Sequence, residues 1–104
     1  MSEETTSVHY INYLDLDKVL DAQHPLSGEG KEAAHEEMLF IIIHQTYELW
    51  FKQMLHEIDS VMDLFRNDQI NESNVGVIVR RMERVNKIMT TLVGQLDILE
   101  TMTS

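Results

Sequence analysis

From His35 to Phe65 the chain carries neither Gly nor Pro. Its apolar positions there include Met38, Leu39, Ile42, Leu49, Met54, Leu55, Ile58, Val61, Met62 and Phe65. Their spacing has helical rather than alternating periodicity and predicts one long amphipathic helix. Glu36 and Glu37 fall in its expected first turn, where the helix dipole favours negative charge. Asn67-Asp68-Gln69-Ile70-Asn71 is a polar break, and Asn71 is suited to cap the next helix. That second long helix is predicted from about Glu72 to Met102. Its stripe holds Val75, Ile78, Val79, Met82, Val85, Ile88, Met89, Leu92, Val93, Leu96 and Leu99, weakened somewhat by Gly76 and Gly94. Ahead of both, Tyr10, Tyr13, Leu14, Leu16, Val19 and Leu20 predict a short helix over Tyr10 to Ala22. His24 to Gly30 contains the only proline and two of the four glycines, and reads as a loop. Residues 1–8 read as a disordered leader, and residues 9–104 as one helical portion.

The expected fold class is therefore all-α: a short N-terminal helix and then a long antiparallel helical hairpin. Helices of about 30 residues are each about 45 Å long, against a radius of gyration of about 13 Å for a compact globule of this size. Both long helices are apolar around much of their circumference. Phe40-Ile41-Ile42-Ile43 covers every direction of one turn, a pattern that belongs to helices buried on all sides. Two helices cannot supply that burial. The remaining cover is expected from more chain, from other subunits, or from both.

Composition narrows the function classes. The chain has 104 residues, with 8 Lys+Arg against 18 Asp+Glu, for a net charge of −10. Nucleic acid and anionic lipid need a basic face, so neither is an expected partner. There is no cysteine, which excludes disulfides, zinc-thiolate sites, iron–sulfur clusters and a cysteine nucleophile within these residues. The first residues are acidic and polar, unlike a signal peptide. The longest apolar run, Met38 to Ile43, is far short of a membrane span. A cytoplasmic location is expected.

His44 is the most informative candidate. It comes after four large apolar residues, and Phe40, Ile41, Glu48 and Phe51 share its helix face. An imidazole among Ile and Phe is a distal-pocket environment, of the kind that governs what a haem iron does with oxygen. It is also what a core histidine bonded to a carbonyl or carboxylate looks like, and spacing alone favours that plainer reading. Glu32-Ala33-Ala34-His35 has the Glu-x-x-His spacing of di-iron bundles, but no second copy exists, so no metal site is expected there. His56 points a third of a turn away from His44, and His9 and His24 sit in or beside loops. Tyr47, Trp50 and Phe51 form an aromatic cluster whose default role is packing. Tyr10 and Tyr13 share one face of the short helix and suit either a pocket wall or a dock on the hairpin. The seven methionines mostly fall on the apolar stripes and read as gap-fillers.

The stretch His35-Glu36-Glu37-Met38-Leu39-Phe40-Ile41-Ile42-Ile43-His44-Gln45-Thr46-Tyr47-Glu48-Leu49-Trp50-Phe51-Lys52-Gln53 resembles the signature of the tryptophan 2,3-dioxygenase family. Tyr10-Ile11-Asn12-Tyr13-Leu14 resembles that family's Tyr-x-x-Tyr-Leu, Gln23-His24-Pro25-Leu26-Ser27 its loop before the long helix, and Leu99-Glu100-Thr101-Met102-Thr103 the end of its next helix. The likeness runs in order over nearly all of the chain after residue 8.

The resemblance implies an all-helical, haem-dependent oxidoreductase, a homotetramer carrying haem b and its iron. Such an enzyme inserts both atoms of O2 across the indole C2–C3 bond of L-tryptophan. The product is N-formyl-L-kynurenine, the first step of tryptophan breakdown by the kynurenine route. Phe40, Ile41, Ile42, Ile43 and His44 would line the substrate pocket, with Phe40 against the indole ring. His44 would be the catalytic distal histidine, bonding the indole N–H through a neutral imidazole. Tyr10, Tyr13 and Leu14 would reach into a neighbouring subunit's pocket. Family members are more than twice as long. The Tyr and Arg that hold the substrate's amino-acid group, and the proximal histidine that ligates iron, lie beyond the stretch matched here. Where some members have a tryptophan near the haem, this chain has Leu96, a difference expected to alter haem contacts. These residues are therefore expected to act together with a C-terminal part of the enzyme and to be inactive without it. The contrasting expectation, favoured by composition and periodicity alone, is a helical interaction or oligomerisation module in which His44 is only a packing residue.

Overall fold

The computed structural model describes residues 3–28 and 32–102, with side chains for residues 9–28 and 35–102. Among the described residues there are four helices and no strand: α1 (Glu3–Leu14), α2 (Leu16–Leu20), α3 (Glu32–Arg66) and α4 (Glu72–Leu99). The all-α class and the two long helices agree with the periodicity. The residues fall into two units, Met1–Ile42 and Ile43–Ser104.

In the first unit the single helix expected over Tyr10 to Ala22 is two helices. Asp15 adopts a left-handed conformation (φ 52°, ψ 38°) between α1 and α2. Its N–H bonds the Asn12 carbonyl at 3.2 Å, and its own carbonyl accepts from Val19 N at 3.0 Å. Aspartate tolerates this region better than most residues, so one such residue ends α1 and starts α2. Helix α1 begins at Glu3, inside the segment read as a leader. No Gly or Pro interrupts residues 3–14, so nothing local stops the helix from starting early. Met1 and Ser2 lie outside the described residues.

The loop after α2 is tied back to α3. Glu37 accepts hydrogen bonds from Leu26 N (3.1 Å), Ser27 N (3.0 Å) and the Ser27 hydroxyl. Glu37 thus serves the loop, and α3 begins at Glu32. Donation from Ser27 and Leu26 holds the Glu37 carboxyl below its usual range, because these bonds favour the charged form. Gly28 has φ 84°, a conformation available to glycine without strain, and Glu29 and Gly30 of the expected loop lie outside the described residues.

In the second unit α3 from Ile43 onward and α4 run antiparallel. Tyr47 meets Leu92 and Glu57 meets Arg84, so position rises on one helix as it falls on the other. The core between them is Met54, Val85, Ile88 and Leu92, with Tyr47 and Ile58 packed against it. On α4 the residues facing this seam (Ile78, Arg81, Val85, Ile88, Leu92, Gln95 and Leu99) alternate in steps of three and four and are buried or half-buried. A second stripe with the same steps, Val75, Val79, Met82, Met89, Val93 and Leu96, is exposed. Two adjacent apolar stripes on one helix explain why α4 read as apolar over so wide an arc.

The turn that joins the helices has a defined geometry. Asp68 is left-handed (φ 52°). Gln69 N bonds Leu64 O at 2.9 Å and Asp68 N bonds Phe65 O at 3.2 Å, the paired bonds of a Schellman ending. Asn71 is extended and its side chain accepts from Asn74 N at 3.0 Å, which caps α4 as its position suggested.

Glu57 is 4% exposed, the only charged residue buried among the described ones. Its Oε2 accepts from Arg84 (2.9 Å) and from Gln53 (2.8 Å). The Arg84 bond, aided by that from Gln53 and opposed by burial, lowers the pKa of Glu57. No helix among the described residues is long and apolar enough to cross a membrane.

Candidate functional site

His44 stands at the edge of an open groove of about 320 Å³ in the second unit. One wall comes from α3: His44, Tyr47, Glu48 and Phe51. The other comes from α4: Met89, Leu92, Val93 and Leu96. Helical spacing produces both walls. His44, Tyr47, Glu48 and Phe51 are three, four and seven residues apart on one face of α3. Met89, Leu92, Val93 and Leu96 repeat that spacing on α4. Among these eight residues only His44, Tyr47 and Glu48 carry polar side-chain atoms.

The Tyr47 hydroxyl donates to the Leu92 carbonyl at 2.9 Å, across the hairpin. The Tyr47 ring lies nearly parallel to Phe51, with centroids 6.2 Å apart and planes 15° apart. His44 Nε2 is 3.7 Å from Glu48 Oε1, and both side chains are well exposed, so solvent screens that pair. The groove therefore offers an apolar slot with an imidazole on its rim. Such a slot takes one face of a flat, mostly apolar group, and the imidazole supplies a hydrogen-bonding atom to fix its orientation.

The other candidate residues have distinct placements. The expectation that His44 is enclosed by apolar neighbours is not met within this chain: its side chain is 69% exposed. Ile43, one residue earlier, takes the inward direction and is buried, which turns the next residue about 100° away from the seam. Phe40 and Ile42 are exposed and Ile41 half-buried on the part of α3 that belongs to the first unit. Tyr10, Tyr13 and Leu14 are all exposed on α1 in that same unit, with Tyr13 at 84%. Of the expected pocket residues, His44 alone lines the groove. His9, His24, His35 and His56 are exposed. Glu32, the first half of the Glu-x-x-His spacing, lies outside the described side chains.

Two residues matter more than the sequence indicated. Tyr47, read as packing, is both groove wall and cross-hairpin donor. Its place three residues after His44, with a hydroxyl that needs a partner when half-buried, was the available signal. Glu57 was not singled out. Its position between Met54 and Val61 on the inward stripe of α3 was the clue, since a carboxylate there needs a partner from the facing helix.

The model of one protein family, described as tryptophan 2,3-dioxygenase, matches residues 1–104. Curated relatives agree. The chain is 53% identical over 96 residues to a tryptophan 2,3-dioxygenase of Bdellovibrio bacteriovorus, covering 92% of this chain and 27% of that protein. It is 54% identical over 94 residues to one of Anopheles gambiae, covering 90% of this chain and 24% of the relative. For one of Dictyostelium discoideum the figures are 55% over 97 residues, with 93% and 24% covered. The chain spans about a quarter of the length of these relatives. A family model that matches the whole of this chain, and identity above half over nine-tenths of it, settle descent: the chain belongs to the tryptophan 2,3-dioxygenase family.

Proposed function

We propose that this chain forms the distal, substrate-side portion of a haem-dependent dioxygenase that converts L-tryptophan and O2 to N-formyl-L-kynurenine. One observation carries the reading. Within a chain more than half identical to named tryptophan 2,3-dioxygenases, the histidine of the signature stretch stands at the rim of an apolar groove. Both oxygen atoms end in the product, so the reaction as written consumes no external reductant.

The residues fit the proposed occupants. The α4 wall of Met89, Leu92, Val93 and Leu96 has no charge to desolvate when a flat apolar group lies against it. Haem b, when bound, supplies the redox-active iron for oxygen chemistry, and no histidine here corresponds to the family's proximal ligand. His44, in its neutral form, accepts the indole N–H through its unprotonated ring nitrogen and so sets the orientation of the substrate ring. Covered by more protein, the aliphatic and aromatic walls would exclude water and strengthen that single polar contact. By the resemblance, Phe40, Ile41, Ile42 and Ile43 contact the indole, and Tyr10, Tyr13 and Leu14 serve a neighbouring copy. The exposure of Tyr10, Tyr13 and Phe40 accords with roles completed by more protein. A homotetramer, a C-terminal portion carrying the proximal ligand, and a cytoplasmic location complete the proposal.

The interaction-module reading draws on the exposed apolar stripes of α3 and α4. The test is oxygen consumption and product appearance by the complete assembly, these residues together with the C-terminal portion, given L-tryptophan, wild type against His44→Ala. Stoichiometric O2 uptake and N-formyl-L-kynurenine, both reduced in a variant that stays assembled, support the dioxygenase. Absence of turnover in the wild type, with a variant altered only in assembly, supports the module.

A further inference from the structure

We propose that Tyr47 is a positioning residue for the groove beside His44: its hydroxyl, bonded to the Leu92 carbonyl, fixes the gap in which the ligand lies. This rests on the functional reading above. The Tyr47 bond (2.9 Å) joins α3 to α4, and its donor and acceptor residues both line the groove. Arg84 to Glu57 also joins the two helices, at the far end of the core.

The geometry gives the bond its leverage. Tyr47 lies one helical turn after His44, and Leu92 lies one turn before Leu96, so the bond ties the two walls directly beneath the histidine. The Leu92 carbonyl is inside α4, and the phenol approaches it as an additional donor. The Tyr47 ring also stacks on Phe51, a contact that restricts rotation of the phenol. Apolar contacts alone let two helices slide by fractions of an ångström. A directional bond between the walls does not, and a slot for a planar ring tolerates little change in width. Tyr47 touches the ligand's surroundings and acts through wall spacing, while His44 makes the polar contact.

The test uses the natively purified, fully assembled protein as wild type, Tyr47→Phe and Arg84→Met. Tyr47→Phe keeps the ring and its stacking and removes only the donor. Arg84→Met breaks a cross-hairpin bond away from the groove and reports what general loosening does. L-tryptophan is titrated while the haem band is monitored, and thermal unfolding is measured in parallel. Loss of one hydrogen bond's positioning predicts roughly three- to tenfold weaker tryptophan binding in Tyr47→Phe, with haem retained. Arg84→Met is expected to lower thermal stability and leave tryptophan affinity within about twofold of the wild type. Unchanged affinity in Tyr47→Phe, or equal weakening in both variants, overturns the positioning role while the dioxygenase reading stands. A wild type with no haem band, or with one that ignores tryptophan, overturns the functional reading and this inference together.

Discussion

The Glu57–Arg84 pair makes a quantitative test of how the hairpin is held. Glu57 is almost fully buried, whereas the Arg84 side chain is 60% exposed. The two ends of this bond therefore respond differently when the partner is lost. Glu57→Gln removes the buried charge and leaves Arg84 able to turn to water. It should cost about 1 kcal/mol, the net value of a hydrogen bond discounted for the exposed partner. Arg84→Met leaves a buried carboxylate held by Gln53 alone, and should cost about 2 kcal/mol, below the range for a fully buried pair. The double variant should cost less than the sum, with a coupling of about 1 kcal/mol. Urea unfolding of the assembled protein, monitored by far-UV circular dichroism, measures all four corners of the cycle. Acid adds an independent arm. The folded pKa of Glu57 lies below the reference value of 4.5, so its stabilisation is complete above that value. It is lost as pH falls through the lowered folded pKa, because the unfolded chain takes up the proton first. Glu57→Gln should remove that part of the acid dependence, and Arg84→Met should shift it to higher pH. A Glu57→Gln variant costlier than Arg84→Met, or coupling below about 0.3 kcal/mol, would mean that the pair does not hold the hairpin in this way.

Local geometry sets three further outcomes. Asn71→Ala should destabilise by about 1 kcal/mol through loss of the cap on Asn74 N, read as a lower urea midpoint with unchanged slope. Asp68→Gly should stabilise by about 0.5 to 1 kcal/mol in the same assay, since glycine relieves the left-handed backbone at φ 52°; a loss would mean the aspartate side chain has a role of its own. Glu37→Gln should speed hydrogen exchange at the Leu26 and Ser27 amides, because one of the two acceptor oxygens becomes a donor. Wild-type exchange there, corrected for its intrinsic pH dependence, should rise as pH falls through the lowered Glu37 pKa, and the glutamine variant should lack that rise.

The helical class, the two long helices, the loop before α3 and the Asn71 cap were legible in the sequence because each depends on local pattern: periodicity, glycine and proline placement, and a capping side chain. The break at Asp15 was not, because an aspartate inside an amphipathic run gives no warning of a left-handed conformation. Helix α1 begins at Glu3, within the segment whose polar composition suggested a leader. His44 was legible from its apolar neighbours, yet its exposure follows from Ile43 being the buried residue of that turn, which the all-round apolar run Phe40 to Ile43 does not reveal. The α4 wall of the groove could not be assigned from sequence. Met89, Val93 and Leu96 lie on the same broad apolar arc as Leu92, and only the register with α3 separates seam from groove.

The central claim is that His44 orients an indole at a haem site to which this chain contributes one side. The visible spectrum of the natively purified, reduced protein, recorded with and without L-tryptophan, tests it most directly. The expected result is a haem band that shifts on adding L-tryptophan, and a His44→Ala variant that keeps the band but responds only at higher tryptophan concentration. A protein without a haem band even after hemin is supplied, or a His44→Ala variant whose tryptophan response equals the wild type's, would contradict it.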